Sequence, residues 1–241
     1  MKREENKQAL LAVRVGVIEC LGGDDSGHGM DHIDRVERLT VRFCDEFKGE
    51  VDPFVARLIA LLHDVDDYKL VGHTNAARLS NATAIMTTAG IGGVTQKRVL
   101  SAIKTIGYSK SLRGIRPTTV EGKIVSDADM CDAIGANGVM RSLLYAVSPK
   151  GNGRIFDPSV WPDVAIGADT YNADGNTHDT DGFINHFFEK MLKLKDMMLT
   201  EPGIKEAAVR DAFMIEFLRH YFREQNVEEW SVFLEKHLED R

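Results

Sequence analysis

Positive charge is in deficit in this 241-residue chain: 30 Lys and Arg stand against 37 Asp and Glu, a formal net charge of −7. That balance argues against a nucleic-acid polymer as partner, although a small phosphorylated ligand needs only a local cluster of cations. Cysteine is scarce too. Cys20, Cys44 and Cys131 are too far apart for a disulfide framework or a thiolate zinc motif, and read as small core residues of a reducing compartment. No apolar run approaches the roughly 18 residues of a membrane span. The first residues lack the apolar stretch of a signal peptide, so a cytoplasmic protein without membrane contact is expected. Strand-like alternation is missing apart from a brief β-branched run at 117–120.

What the chain does have is helical periodicity and 43% hydrophobic residues, enough for a substantial core. The pattern predicts helices over about 6–21, 28–47, 53–62, 74–89, 95–106, 120–147, 183–199, 204–224 and 227–238. This is an all-α fold in a single domain spanning 1–241, with a core at 27–147, a loop at 148–182 and C-terminal helices at 183–241. The loop is rich in Gly, Pro, Asn and Asp, and its length suggests a functional role.

One junction needs a chemical explanation. The apolar run Phe54–Leu62 leads straight into His63-Asp64. A helix burying Leu58, Ile59, Leu61 and Leu62 carries that carboxylate towards a low-dielectric interior, where it is costly unless a cation or donors compensate it. Neighbouring residues on a helix point about 100° apart, so the pair can share one ion only near a helix end. Further ligands are available in GHGMDHIDRV (27–36), where His28, His32 and Arg35 share a face, and in IVSDADMCDAIG (124–135). Imidazole with carboxylate suits one divalent ion such as Mn, Mg, Co, Ni, Fe or Zn.

With His32, His63-Asp64 and Asp129 in this order, the chain resembles the HD-domain superfamily of metal-dependent phosphohydrolases. Within it the likeness is to a subgroup of predicted bacterial hydrolases similar to YedJ and YpgQ. GHGMDHIDRV is similar to the family's first-histidine segment, LLHDVDDYK to its HD segment and GKIVSDADMCDAIGANGVMR to its aspartate helix. NHFFEKMLKLKDMMLTEPG and the helix after it extend the likeness, which covers about 27–221.

The resemblance implies an HD-domain helical bundle with additional C-terminal helices, and one divalent ion held by His32, His63, Asp64 and Asp129. Asp129 is favoured over Asp127, which would stand behind the ligands. Asp67 and His28 are the implied catalytic groups, Asp67 as general acid/base or water-orienting residue. Lys69, Arg35, His186 and Lys190 are the implied substrate contacts, with Arg35 weighed against a salt bridge to a carboxylate behind the ligands. Two departures stand out. Gly29 replaces the acid that usually follows the position of His28, leaving Asp31 as a substitute, and Gly107-Tyr108-Ser109 lacks a further histidine found in some relatives, so a single metal is expected.

The implied activity is hydrolysis of a small phosphorylated molecule, foremost a nucleotide, in the manner of a nucleoside triphosphate pyrophosphohydrolase. Two other readings compete: a non-catalytic metal- and nucleotide-binding regulatory module, and a di-iron oxygenase, which would call for additional histidines. A symmetric homodimer is the default assembly.

Overall fold

The computed structural model describes residues 2–21, 29–149, 151–165 and 182–241, apart from the side chains of Lys2, Lys69 and His73. The helices are α1 (Lys2–Leu21), α2 (Met30–Asp45), α3 (Pro53–Leu62), α4 (Tyr68–Val71), α5 (His73–Arg78), α6 (Ser80–Thr88), α7 (Gly93–Ile103), α8 (Tyr108–Leu112), α9 (Val120–Asp132), α10 (Gly135–Val147), α11 (Phe183–Glu189), α12 (Glu201–Gln225) and α13 (Glu228–Glu239). A 3-10 turn, Met191–Met197, lies between α11 and α12. The fold is all-α, with no strand among the described residues, and no helix among them is long and apolar enough to cross a membrane.

The centre of the fold follows from α3. Its residues from Val55 to Leu62 are buried except Arg57, whose guanidinium turns out to Glu37 at 2.7 Å. Pro53 sits in the first turn, where its missing N–H costs nothing, and Asp52 closes the end by accepting from Phe54 N and Val55 N. A helix apolar on nearly every side must be enclosed. Accordingly α1, α2, α7 and α9 pack on α3, and α2 also packs on α9. Gly16 lets α1 approach α6: a Cβ there would lie 2.9 Å from Ile85.

Four sequence expectations are corrected. The helix expected over 120–147 is two, because Gly135 takes φ 74° and packs its backbone on Arg210. The helix expected over 74–89 breaks at Leu79, at φ 52°, and its second half, α6, is held by Asp66, whose carboxylate accepts from Asn81 N (3.0 Å) and Ala82 N (2.8 Å). The stretch 183–199 begins as α11 and tightens into the 3-10 turn. Cys20 is exposed, while Cys44 and Cys131 are buried.

The described part of the long loop, 151–165, is anchored by aromatic packing. The Trp161 ring stacks on Trp230 at 4.6 Å, Phe156 meets Trp230 edge-on at 5.0 Å, and Trp230 Nε1 donates to Pro158 O at 3.1 Å.

Asp127 is buried, and its carboxylate accepts from Leu199 N (2.9 Å), Thr200 N (2.7 Å) and the Thr200 hydroxyl (2.6 Å), tying α9 to the start of α12. Gly203 comes so close that a Cβ on it would strike Asp127. The Asp127→Ala substitution strands these donors and should lower unfolding stability by about 2 kcal/mol. Urea denaturation checks this, and metal binding should persist in the folded variant.

Candidate metal centre

The three helices that enclose one another at the core bring their polar residues to one point. His32 comes from α2, His63 and Asp64 from the end of α3, and Asp129 and Asp132 from α9. His63 is the residue at which α3 stops, and this helix end lets the adjacent Asp64 turn back towards the same point. The Nε2 atoms of His32 and His63 lie 3.2 Å apart. Asp129 Oδ1 lies 3.5 Å from one and 3.7 Å from the other, and Asp64 approaches with Oδ2 3.4 Å from His32 and Oδ1 3.6 Å from His63. Ligand atoms bound at about 2.0–2.2 Å to one ion stand about 3.0–3.6 Å from each other. One ligand atom each from His32, His63 and Asp129 falls within 4.8 Å of the others, so the three could hold an ion, with Asp64 at its edge.

Protons cannot satisfy this arrangement while both rings are neutral. His63 Nδ1 lies 2.8 Å from Ala60 O, and a carbonyl only accepts, so the proton sits on Nδ1. His32 Nδ1 lies 2.7 Å from Asp132 Oδ2. Burial alone would raise the pKa of Asp132, but hydrogen bonds from His32 and Arg35 and the charges of His32 and Arg141 hold it well below the usual carboxylate range. That carboxylate also accepts rather than donates. In the neutral rings both Nε2 atoms then carry a lone pair rather than a proton and face carboxylate oxygens, a donor set that fits a divalent cation.

Without a cation, protons take its place. Burial disfavours the His63 imidazolium, yet Asp64 and Asp129 outweigh it and push the pKa up to about 10. His32 is likewise raised, against its burial, by Asp132 and Asp64.

Asp132 was given no role by the sequence, although it shares the helix with Asp127 and Asp129. It is fully buried and accepts from Arg35 Nε at 2.6 Å, Arg35 Nη2 at 3.1 Å and the Arg141 guanidinium. It therefore does what was expected of Asp31, which is exposed, and of Asp127, which faces α12 instead. Its spacing of three from Asp129 puts both on one face of α9, a signal that was available in SDADMCD. Lys110 was also missed. This half-buried ammonium donates to Ile103 O at 2.9 Å; burial pushes its pKa down while Asp64, Asp67 and Asp129 pull the other way.

The remaining sequence candidates are distributed as follows. Arg35 is engaged by Asp132 rather than facing the cluster. Asp67 lies in the turn after the His63-Asp64 pair, its N–H bonded to Asp64 O at 3.0 Å. Lys190 reaches α8, its Nζ 5.0 Å from the centre of the Tyr108 ring. His186 is kept neutral, its pKa pushed down to about 3 by burial and the charge of Lys190. Lys69 is on α4, its side chain outside those described, and His28 lies outside the described residues.

The HD domain family matches residues 29–134. The uncharacterized protein YpgQ of Bacillus subtilis is 32% identical over 219 residues, covering 90% of this chain and 93% of its own. Its crystal structure in complex with ADP superposes with a TM-score of 0.67, at 29% identity over 91% of this chain and 96% of that one. A Lactobacillus plantarum protein superposes with a TM-score of 0.71, at 31% identity over 92% and 97% of the two chains. An HD-superfamily hydrolase from Bacillus thuringiensis gives 0.67 at 29% identity, over 94% and 100%.

Two outcomes follow. Asp132→Asn removes the anion that orients His32 and should weaken metal affinity about 10- to 100-fold, measured by competition with a chromophoric chelator, whereas Asp31→Asn should not. The raised pKa of His63 means that its proton stabilises the metal-free fold fully below pH 6.5, a contribution lost as pH rises towards 10. An incoming ion displaces that proton, so Mn affinity should climb by up to about tenfold per pH unit across this window. A flat profile would exclude His63 as a ligand.

Proposed function

The chain belongs to the HD-domain superfamily of hydrolases, and we propose that it is a metal-dependent phosphohydrolase acting on a small phosphorylated molecule, most directly a nucleotide. The observation that carries this reading is the convergence of two imidazole Nε2 atoms, 3.2 Å apart and faced by carboxylates. His32, His63, Asp64 and Asp129 would hold one divalent ion. Bound there, such an ion offsets charge on a phosphoryl oxygen and makes water more acidic.

The chain's own residues supply the rest. Asp132 and the Ala60 carbonyl hold the two rings with Nε2 inward. Lys110, within the field of Asp64, Asp67 and Asp129, is placed to receive phosphate oxygens by charge-assisted hydrogen bonds. Asp67 stands in the same field and serves as the group that orients or deprotonates water. Lys190, reaching the helix that carries Lys110, adds positive charge on the substrate's side. The ADP in the YpgQ structure supports a nucleotide as ligand, and a pyrophosphohydrolase action on nucleoside triphosphates is the specific form of the proposal.

The test is release of phosphate and diphosphate from nucleoside mono-, di- and triphosphates with Mn or Co. Turnover should vanish in Asp64→Ala and Asp129→Ala. Lys110→Ala should lower kcat/KM by about 10- to 100-fold, the worth of a charged hydrogen bond, with metal affinity retained. Metal binding without turnover of any nucleotide would reject the catalytic reading in favour of a binding module.

A further inference from the structure

A second basic feature lies behind Asp132, away from the metal cluster. A recess of about 260 Å³ opens between α2, α10 and α12, lined by Arg35, Arg38, Arg42, Asn137, Arg210 and Asp132. None of His32, His63, Asp64 or Asp129 lines it. Arg35, Arg38 and Arg42 stand at i, i+3 and i+7 on α2 and so share a face. Arg210 arrives from α12, where the backbone of Gly135 receives its stem.

The four guanidiniums share only two bonded carboxylates among the described residues. Arg35 is taken by Asp132, a carboxylate also bonded to Arg141 and His32. Arg42 and Arg210 share Glu206. Among the described residues no hydrogen bond or ion pair reaches the exposed Arg38. Two carboxylates, Asp132 and Glu206, thus bond three of the four cations, Asp31 and Asp34 act on Arg35 only through their charge, and Arg38 is left over in a concave site. Like charges gathered in this way repel one another and focus a positive potential into the recess, which favours an anion.

The geometry is also preorganised. Arg210 is fixed by Cys131 O at 2.7 Å and Glu206 at 2.7 Å, and Arg35 is held by both oxygens of Asp132, so little side-chain freedom is lost on binding. Planar guanidiniums match the oxygen spacing of phosphate groups, and the recess has the size for one or two of them. We propose that it is a binding site for a small phosphate-type anion, inorganic phosphate or diphosphate. The net negative charge of the chain disfavours a polyanionic polymer. Asp132 borders both the recess and His32, so an anion bound to Arg35 here would sit three hydrogen bonds away from the proposed metal ligand His32.

This inference stands apart from the hydrolase reading, and its test is run without metal or turnover. Inorganic phosphate and diphosphate are titrated calorimetrically into the Asp64→Ala variant in the presence of a chelator. Saturable diphosphate binding in the millimolar range or tighter is expected, weakened about tenfold in Arg38→Ala and less in Arg38→Lys. Arg42→Ala is a second variant whose lesion leaves Asp132 untouched, and it should weaken binding as well. Absence of binding in the chelator-treated protein, or an affinity unchanged by both arginine substitutions, would overturn the proposal.

Discussion

Two imidazole rings, each bound on its outer nitrogen, turn their inner nitrogens to one point 3.2 Å apart. The rest of the architecture answers the cost of that convergence. Bare lone pairs beside carboxylates repel one another in a buried setting, and only a shared cation or added protons relieve them. The packing of α2, α3 and α9 against one another holds the groups in place regardless, because each helix is anchored by apolar burial rather than by the polar cluster. The core thus fixes the positions of groups whose charges are balanced by protons on the rings or by a shared cation.

On α9 three aspartates divide the labour by direction alone. Asp129 faces the cluster, Asp132 lies one turn on beneath His32, and Asp127 turns away to hold the beginning of α12. Successive helical residues point about 100° apart, so three acids within six positions serve a ligand cluster, its orienting anion and a helix junction. Asp66 shows the same economy after the His63-Asp64 pair: it caps α6, while Asp64 and Asp67 face Lys110.

The cations are arranged around these acids in two groups. Lys110 and Lys190 approach by way of α8, whereas Arg35, Arg38, Arg42 and Arg210 stand behind Asp132. An acidic chain thereby carries cationic side chains on both sides of His32, and Asp132 bonds both His32 and Arg35.

Much of this was legible in the residues. The all-α fold follows from periodicity. The placement of His63-Asp64 at a helix end follows from the abrupt end of the apolar run 54–62, since burial of that run compels whatever comes next to lie at the edge of the core. The resemblance to the HD superfamily pointed to His32 and Asp129, which the fold brings beside that pair. Other features could not be read. Whether Asp127 or Asp132 backs His32 depends on which face of α9 meets α2 and which meets α12, and that is settled by side-chain packing across the core. The split of 120–147 depends on Gly135 meeting Arg210, a residue 75 positions later. Lys110 and the arginine recess likewise join segments distant in the chain. Sequence by itself determined which residues must be buried and in what local conformation, because hydrophobic period and capping are local. Tertiary structure alone decided which charges meet, because electrostatic partners are chosen by distance in space and not along the chain.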